Sequence, residues 1–592
     1  MRLRGARGHR RRLRVRGHPR HRPGRHRRHH LPQRGRGAAR DRPGPDQRGR
    51  DAVGRGAARH AGGPAPDHGH ADRRGVRDAG RVGHRVHGDG RRPLCRRLLR
   101  PPGHDPRHGG QRPAARHARH GHGVHRRVTP LTTRPATRRQ FLGLTALTGL
   151  ALAAGCSGRG PSAAVHSSPG GLRLTAAPMR LDLAGHAVPT WGYGTVPGPE
   201  IRLRAGDVLR VQLENGLDED TSVHWHGLAP PNAMDGVPGI TQDPVAPGER
   251  FSYEFETPVA GSFMYHAHVG MQLDRGLYGP LVVEPRTEEL AYDREVVLML
   301  DDWRDGMDAH AGHDDPEPSE DPDPADVVSF GGRAYPLLLV NGRPPDDPVT
   351  VEAGPGDRVR LRVMNIAADT GFRFAVAGHR LTVTHSDGMP VEPVTVDALR
   401  LGMGERYDVL VDAAQPGGAW QIGVQPEGRP GWGRAVLRYT GSDVSPTPPV
   451  GERPAELTGR LVTYDELLAR EPLPLPGGQP DRVLDLELSG TEIGGQSYPD
   501  ADPLVVRQGE WVRFRMRNTS SKWHPMHLHG HHFQVLTPSG RGPVKDTVSV
   551  PARGGEVTFD FLATNPGRWL FHCHNHHHME DGMLRLVEYE EE

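Results

Sequence analysis

The chain has 592 residues and a formal net charge of +6, long enough for three or four domains. That sum hides two opposed parts: residues 1–128 carry 37 Arg, no Lys and 8 acidic residues, a net of +29, and the rest is acidic by 23 charges. The basic average is therefore no ground for nucleic-acid binding by the part able to fold. Only one cysteine lies beyond residue 156, which excludes an internal disulfide there.

Residues 1–128 are a low-complexity run of Arg, His, Gly and Pro, too poor in large apolar side chains to offset chain entropy. The segment is read as translated upstream sequence outside the mature protein, with a start near Val128. A disordered basic arm is the alternative. Residues 129–156 read as a signal peptide. Arg138-Arg139 precedes an apolar stretch from Phe141 to Ala154, then Gly155-Cys156. The twin arginine predicts export of a folded protein to the cell envelope or beyond. Ala153-Ala154-Gly155-Cys156 resembles a lipoprotein box, so lipid on Cys156 would hold the chain to the outer side of the cytoplasmic membrane; plain cleavage is the alternative. Residues 157–171 are a linker.

From 172 onward the pattern is all-β. Short alternating runs such as Val208–Leu213 and Arg358–Val363 are separated by Pro-Gly, Asn-Gly and Asp-Gly turn signals. A weak repeat supports three similar units: residues 198–217, 347–367 and 502–521 each give a strand, a Gly-centred turn with an acidic residue, a second strand and a terminal Asn. The expected domains are 172–285, 286–446 with an acidic, Pro-rich insertion at 304–326, and 447–592. Residues 441–456 read as a linker. Greek-key sandwiches are the expected fold.

Four histidine clusters fall in the first and third units: His224-Trp225-His226, His266-Ala267-His268, His524–His529 and His572-Cys573-His574, followed by His578 and Met583. Residues i and i+2 of a strand share a face and i+1 takes the other. Each paired imidazole set thus points one way. Cys573 can hold one metal while His572 and His574 face the opposite side and hold others. A covalent path of a few bonds would join the two sites and could carry electrons. Thiolate, imidazole and thioether suit copper better than calcium or magnesium; zinc is the alternative, but it does not call for this many ligands in this order.

With these motifs, residues 172–590 resemble the three-domain multicopper oxidases, the laccase-like family of cupredoxin domains. The resemblance implies four copper ions. His524, Cys573 and His578 would bind the type 1 ion, with Met583 as a weak axial ligand. His224 and His527 would bind the type 2 ion. His226, His266, His268, His529, His572 and His574 would bind the type 3 pair, between the first and third domains, with the middle domain as spacer and clamp. It also implies a monomer that reduces dioxygen, with Cu(I) as the favoured reductant and a phenol as the rival. Asp235, eleven residues after His224, matches an acidic proton donor of related bacterial enzymes; Glu580 is a weaker candidate. Met234, Met271, Met389, Met526 and Met579 are thioethers able to guide Cu(I), or ordinary core. His531, His532, His576 and His577 match no ligand position and read as outer-layer or surface groups. A folded, non-catalytic envelope relative and a copper nitrite reductase are the further alternatives; the first predicts missing ligands and the second two domains per chain.

Overall fold

The computed structural model describes residues 165–166, 171–304, 328–333, 335–441 and 446–590. The basic segment 1–128, the signal segment with Cys156, and nearly all of the acidic insertion lie outside the described residues. No helix among the described residues is long and apolar enough to cross a membrane.

Among the described residues, six sheets form three two-layered units. The first unit pairs a four-stranded sheet with a five-stranded one; the second and third each pair six strands with five. Alternation explains the layers. In the Trp511–Asn518 strand, Val512, Phe514 and Met516 are buried and Arg515 and Arg517 exposed. Arg513 donates twice to Asp560 of the neighbouring strand, at 2.7 and 2.9 Å. Each unit has its own apolar core, centred on Trp225 and Tyr253, on Phe372 and Phe374, and on Phe514 and Phe559. A further cluster, including Met264, Tyr278, Met299 and Met364, joins the first unit to the second.

The repeated sequence has one structural job in all three units. Its two strands lie in different sheets, Ile201–Arg204 and Asp207–Asn215 in the first copy, Val349–Ala353 and Arg358–Asn365 in the second, Leu504–Val506 and Trp511–Asn518 in the third. The corner between them turns at Gly206, Gly356 or Gly509, with φ of 81°, 87° and 82°. These values lie in the left-handed region, where glycine is unstrained.

The terminal Asn then clips the following loop. Asn215 Nδ2 donates to Glu219 O and Val245 O, both at 2.7 Å, and its Oδ1 accepts from Leu217 N. Asn365 does the same with Thr370 O, Leu401 O and Ala367 N, and Asn518 with Lys522 O, Val550 O and Ser520 N. The strand delivered by each clipped loop is His224–His226, Phe372–Val376 or His524–Leu528. The outer units thus place imidazoles where the middle unit places core phenylalanines.

Candidate metal centre

The Arg568–Cys573 strand runs antiparallel to His524–Leu528, with Met526 opposite Cys573 and His527 opposite His572. Cys573 faces the third core together with Met526 and Met583. The next residues fold back around it. Asn575 caps the helix His576–Glu580, its side chain accepting from His577 N and His578 N. That turn returns His578 to Cys573, with Nδ1 3.5 Å from Sγ; His524 Nδ1 lies 3.6 Å away. Gly582, at φ +109°, turns the chain where a Cβ would meet Ser497 Oγ at 2.1 Å. Cys573 N then donates to Met583 O, and Met583 N to His578 O, which brings the thioether residue beside the cysteine.

His524 Nε2 lies 2.7 Å from Ser520 Oγ. Ser520 Oγ donates its own proton to Asn518 Oδ1 at 2.8 Å, so it accepts from His524 Nε2 and leaves Nδ1 bare toward sulfur. Burial pushes the Cys573 thiol well above its usual range, so only a bound cation would make it a thiolate at neutral pH. Burial likewise holds His578 down to about 4, with help from the charges of Lys522 and Arg333.

On the other side of the same strand lies a cage of eight imidazoles, His224, His226, His266, His268, His527, His529, His572 and His574. Trp225 points into the first core, against Tyr253 and Phe255, so His224 and His226 point out of it. His224 pairs with His266 across the strand ladder. Three trios bring their nitrogens close enough to share an ion: His224, His226 and His527; His226, His266 and His574; His268, His529 and His572.

The hydrogen bonds decide which nitrogen each ring offers. His224, His266, His527 and His572 each place Nδ1 within 3.0 Å of a backbone carbonyl, which can only accept. Their protons are therefore on Nδ1 and Nε2 is a bare lone pair. No hydrogen bond reaches the buried Nε2 of His224, His266, His268 or His527, nor either nitrogen of His574. His529 donates its Nδ1 proton to Asp235 Oδ2 at 2.9 Å, yet its Nε2 stands 3.0 Å from His572 Nε2. Two lone pairs at that distance repel unless a cation lies against both. Burial, reinforced by neighbouring imidazoles, holds His226, His266, His268, His527, His529 and His574 well below the ordinary histidine range. A dry cavity of neutral, unsatisfied imidazoles costs stability unless metal fills it. The donor set fits copper.

Asp235 is wholly buried behind the cage; Oδ2 takes the His529 proton and Oδ1 is 3.3 Å from His224 Nδ1. Glu580 ends the helix of His578, buried, and belongs to none of the ligand groups. His531, His576 and His577 are buried and His532 half-buried, which favours the outer-layer reading over the surface one. His531 Nε2 meets Tyr589 Oη at 2.7 Å, His532 Nε2 meets Gly227 O at 2.8 Å, and His577 Nε2 meets Tyr335 Oη at 3.0 Å. The His576 ring lies 5.7 Å from that of His574. Sequence reasoning missed Asp546, Thr547, Gly404 and Arg406, which touch the cage or its supports. Their residue types are common, and nothing in their spacing sets them apart.

Three stacked β-sandwiches, a thiol–imidazole pocket and an imidazole cage linked by one strand define a copper-dependent oxidoreductase of cupredoxin architecture. Multicopper oxidase profiles match residues 178–288, 294–442 and 478–592. The chain belongs to the multicopper oxidase family, whose domains carry copper of types 1, 2 and 3. It is 40% identical to the multicopper oxidase MmcO of Mycobacterium tuberculosis over 494 residues, 76% of this chain and 96% of that one. It is 28% identical to a copper resistance protein A homolog of Pseudomonas syringae pv. tomato, over 71% of this chain and 92% of that one. The crystal structure of a laccase from Botrytis aclada superposes with a TM-score of 0.60 at 26% identity, covering 72% and 88%.

Proposed function

We propose that this oxidase takes electrons from Cu(I) and so detoxifies copper. Support comes from its likeness, over nine-tenths of their length, to proteins named for copper resistance. Copper, when bound, supplies one-electron oxidation of the reductant and four-electron reduction of dioxygen to water.

The observation that carries the assignment is the set of bare, inward-facing nitrogens. On it we assign His524, Cys573 and His578, with the neighbouring Met583 as a further donor, to the type 1 ion, which they would hold. His224 and His527 go to type 2. His226, His266 and His574 would hold one type 3 ion, and His268, His529 and His572 the other. Cys573 ties the pocket to the cage by covalent bonds alone, through His572 on one side and His574 on the other. His578, half-buried where Cys573 and His524 are buried, is the edge offered to the reductant. Asp235 orients His529 and His224, and its Oδ1 is the atom assigned to hand on protons; Glu580 stands as the second acid. Export and lipid on Cys156 belong to the same proposal, and fractionation with mass analysis of the Cys156 peptide tests them.

One observation favours a phenol instead. The positive charges of Lys522 and Arg333 act on His578, and a cation is repelled there. Of the five candidate methionines, Met271, Met389, Met526 and Met579 are core residues and Met234 alone is half-buried, which makes no exposed thioether path. Oxygen uptake with Cu(I) and with a phenol separates the two. The proposal expects the higher kcat/KM with Cu(I); a phenol faster by tenfold or more overturns it.

A further inference from the structure

The middle domain holds none of the assigned copper ligands, yet it walls the cage. Gly404, at φ +84°, packs so closely that a Cβ there would lie 3.0 Å from both His226 and His574. Two residues on stands Arg406, wholly buried. All five of its N–H groups are used. Nη1 and Nη2 donate to Asp546 Oδ1 and Oδ2, each at 2.6 Å. The remaining three reach Ser262 O, Gly404 O and Asp387 O at 3.0–3.2 Å. The guanidinium is thus locked in one plane and holds the Asp546 carboxylate by both oxygens.

Asp546 in turn grips two cage rings from different domains. Its Oδ1 is 3.1 Å from His226 Nε2 and 3.5 Å from His527 Nδ1. Its carbonyl accepts from His527 Nδ1 at 2.9 Å. Thr547 Oγ1 donates to Asp546 Oδ1 and lies 3.1 Å from both rings. The two imidazoles stack at 3.9 Å. His226 is the exception in the cage: its Nε2 is engaged here and its Nδ1 is the bare atom, whereas His224, His266, His268 and His527 leave Nε2 bare.

We propose that Arg406 is a positioning residue of the copper cage: through its fork on Asp546 it sets which nitrogen of His226 faces the metal and fixes His226 against His527. The proposal rests on the copper assignment of the cage. Lysine at 406 would keep the charge but could not hold both carboxylate oxygens in one plane.

The test uses the copper-loaded full chain as parent, Arg406→Lys and Arg406→Gln. It reads copper per chain, the type 2 electron paramagnetic resonance signal, the thiolate–copper visible band and oxygen turnover. The expected result is an unchanged visible band, an altered or diminished type 2 signal and a loss of cage copper affinity or oxygen turnover of about ten- to hundredfold in both variants. A Lys variant matching the parent in type 2 signal and turnover overturns the proposal, because charge alone would then suffice. Loss of the visible band together with cage copper also overturns it, because Arg406 would then be general structural support. A parent without cage copper removes the copper assignment itself, and the proposal with it.

Discussion

The pocket and the cage lie on opposite faces of one strand but are built differently. The pocket draws its donors from His524 to Met583, within a single sandwich, and a helix cap and one glycine turn assemble it. The cage draws rings from residues 224 to 574 and supports from the middle domain. The pocket is therefore a local device and the cage a product of domain assembly. Coupling needs both, and Cys573 is the residue they share.

The strongest way to break the pair is Cys573→Ser. It should abolish reductant-driven turnover and the visible band while leaving cage copper in place, as copper analysis and electron paramagnetic resonance would report. Concerted loss of all copper would show that the regions are not separable.

The next effect is acid lability of the copper-free chain. Burial lowers His385, His531, His576 and His578 to about 4 and His572 to about 3. These folded values lie below that of the unfolded chain, which therefore binds the protons more tightly. Stability present above the ordinary histidine pKa is lost as pH falls toward 4, by about 1.4 kcal/mol per pH unit for each ring. Calorimetry should show a steep fall of Tm between about pH 6.5 and 4, blunted by copper; a flat profile contradicts neutral, buried rings.

Asp235→Asn should act on the cage alone, slowing dioxygen reduction about ten- to hundredfold with the visible band and copper content intact. Stopped-flow reoxidation measures it, and an unchanged rate removes Asp235 from the machinery.

The asparagine clips sharpen the comparison most finely. Each loses buried hydrogen bonds on replacement by Ala, at a cost of roughly 1–3 kcal/mol. Asn215→Ala should disturb the cage only, Asn518→Ala both regions, and Asn365→Ala, whose Nδ2 donates to Leu401 O beside the Gly404–Arg406 wall, the cage only, in visible and paramagnetic spectra of variants with similar loss of Tm.

The same contrast explains what was legible beforehand. His572-Cys573-His574 with His578 and Met583 is one short stretch, and strand alternation alone sends the cysteine and its neighbours to opposite faces. The three repeats exposed the sandwich corners, since Gly206, Gly356 and Gly509 recur at one spacing. Nothing local marked Arg406 or Asp546, because their meaning is a contact between residues 140 apart in sequence. His576 and His577 stay open between outer layer and surface in the sequence for a related reason: a polar run gives no sign that Asn575 turns it into a helix against the middle domain. There Asn575 Nδ2 donates to Phe330 O and Asp369 Oδ1.

The most direct measurement is anomalous scattering at the copper edge from crystals of the copper-loaded protein. The account predicts one copper bound to Cys573 Sγ with His524 and His578, and three among the eight imidazoles of the cage. A single peak at Cys573 with an empty cage, or zinc in place of copper, would contradict it.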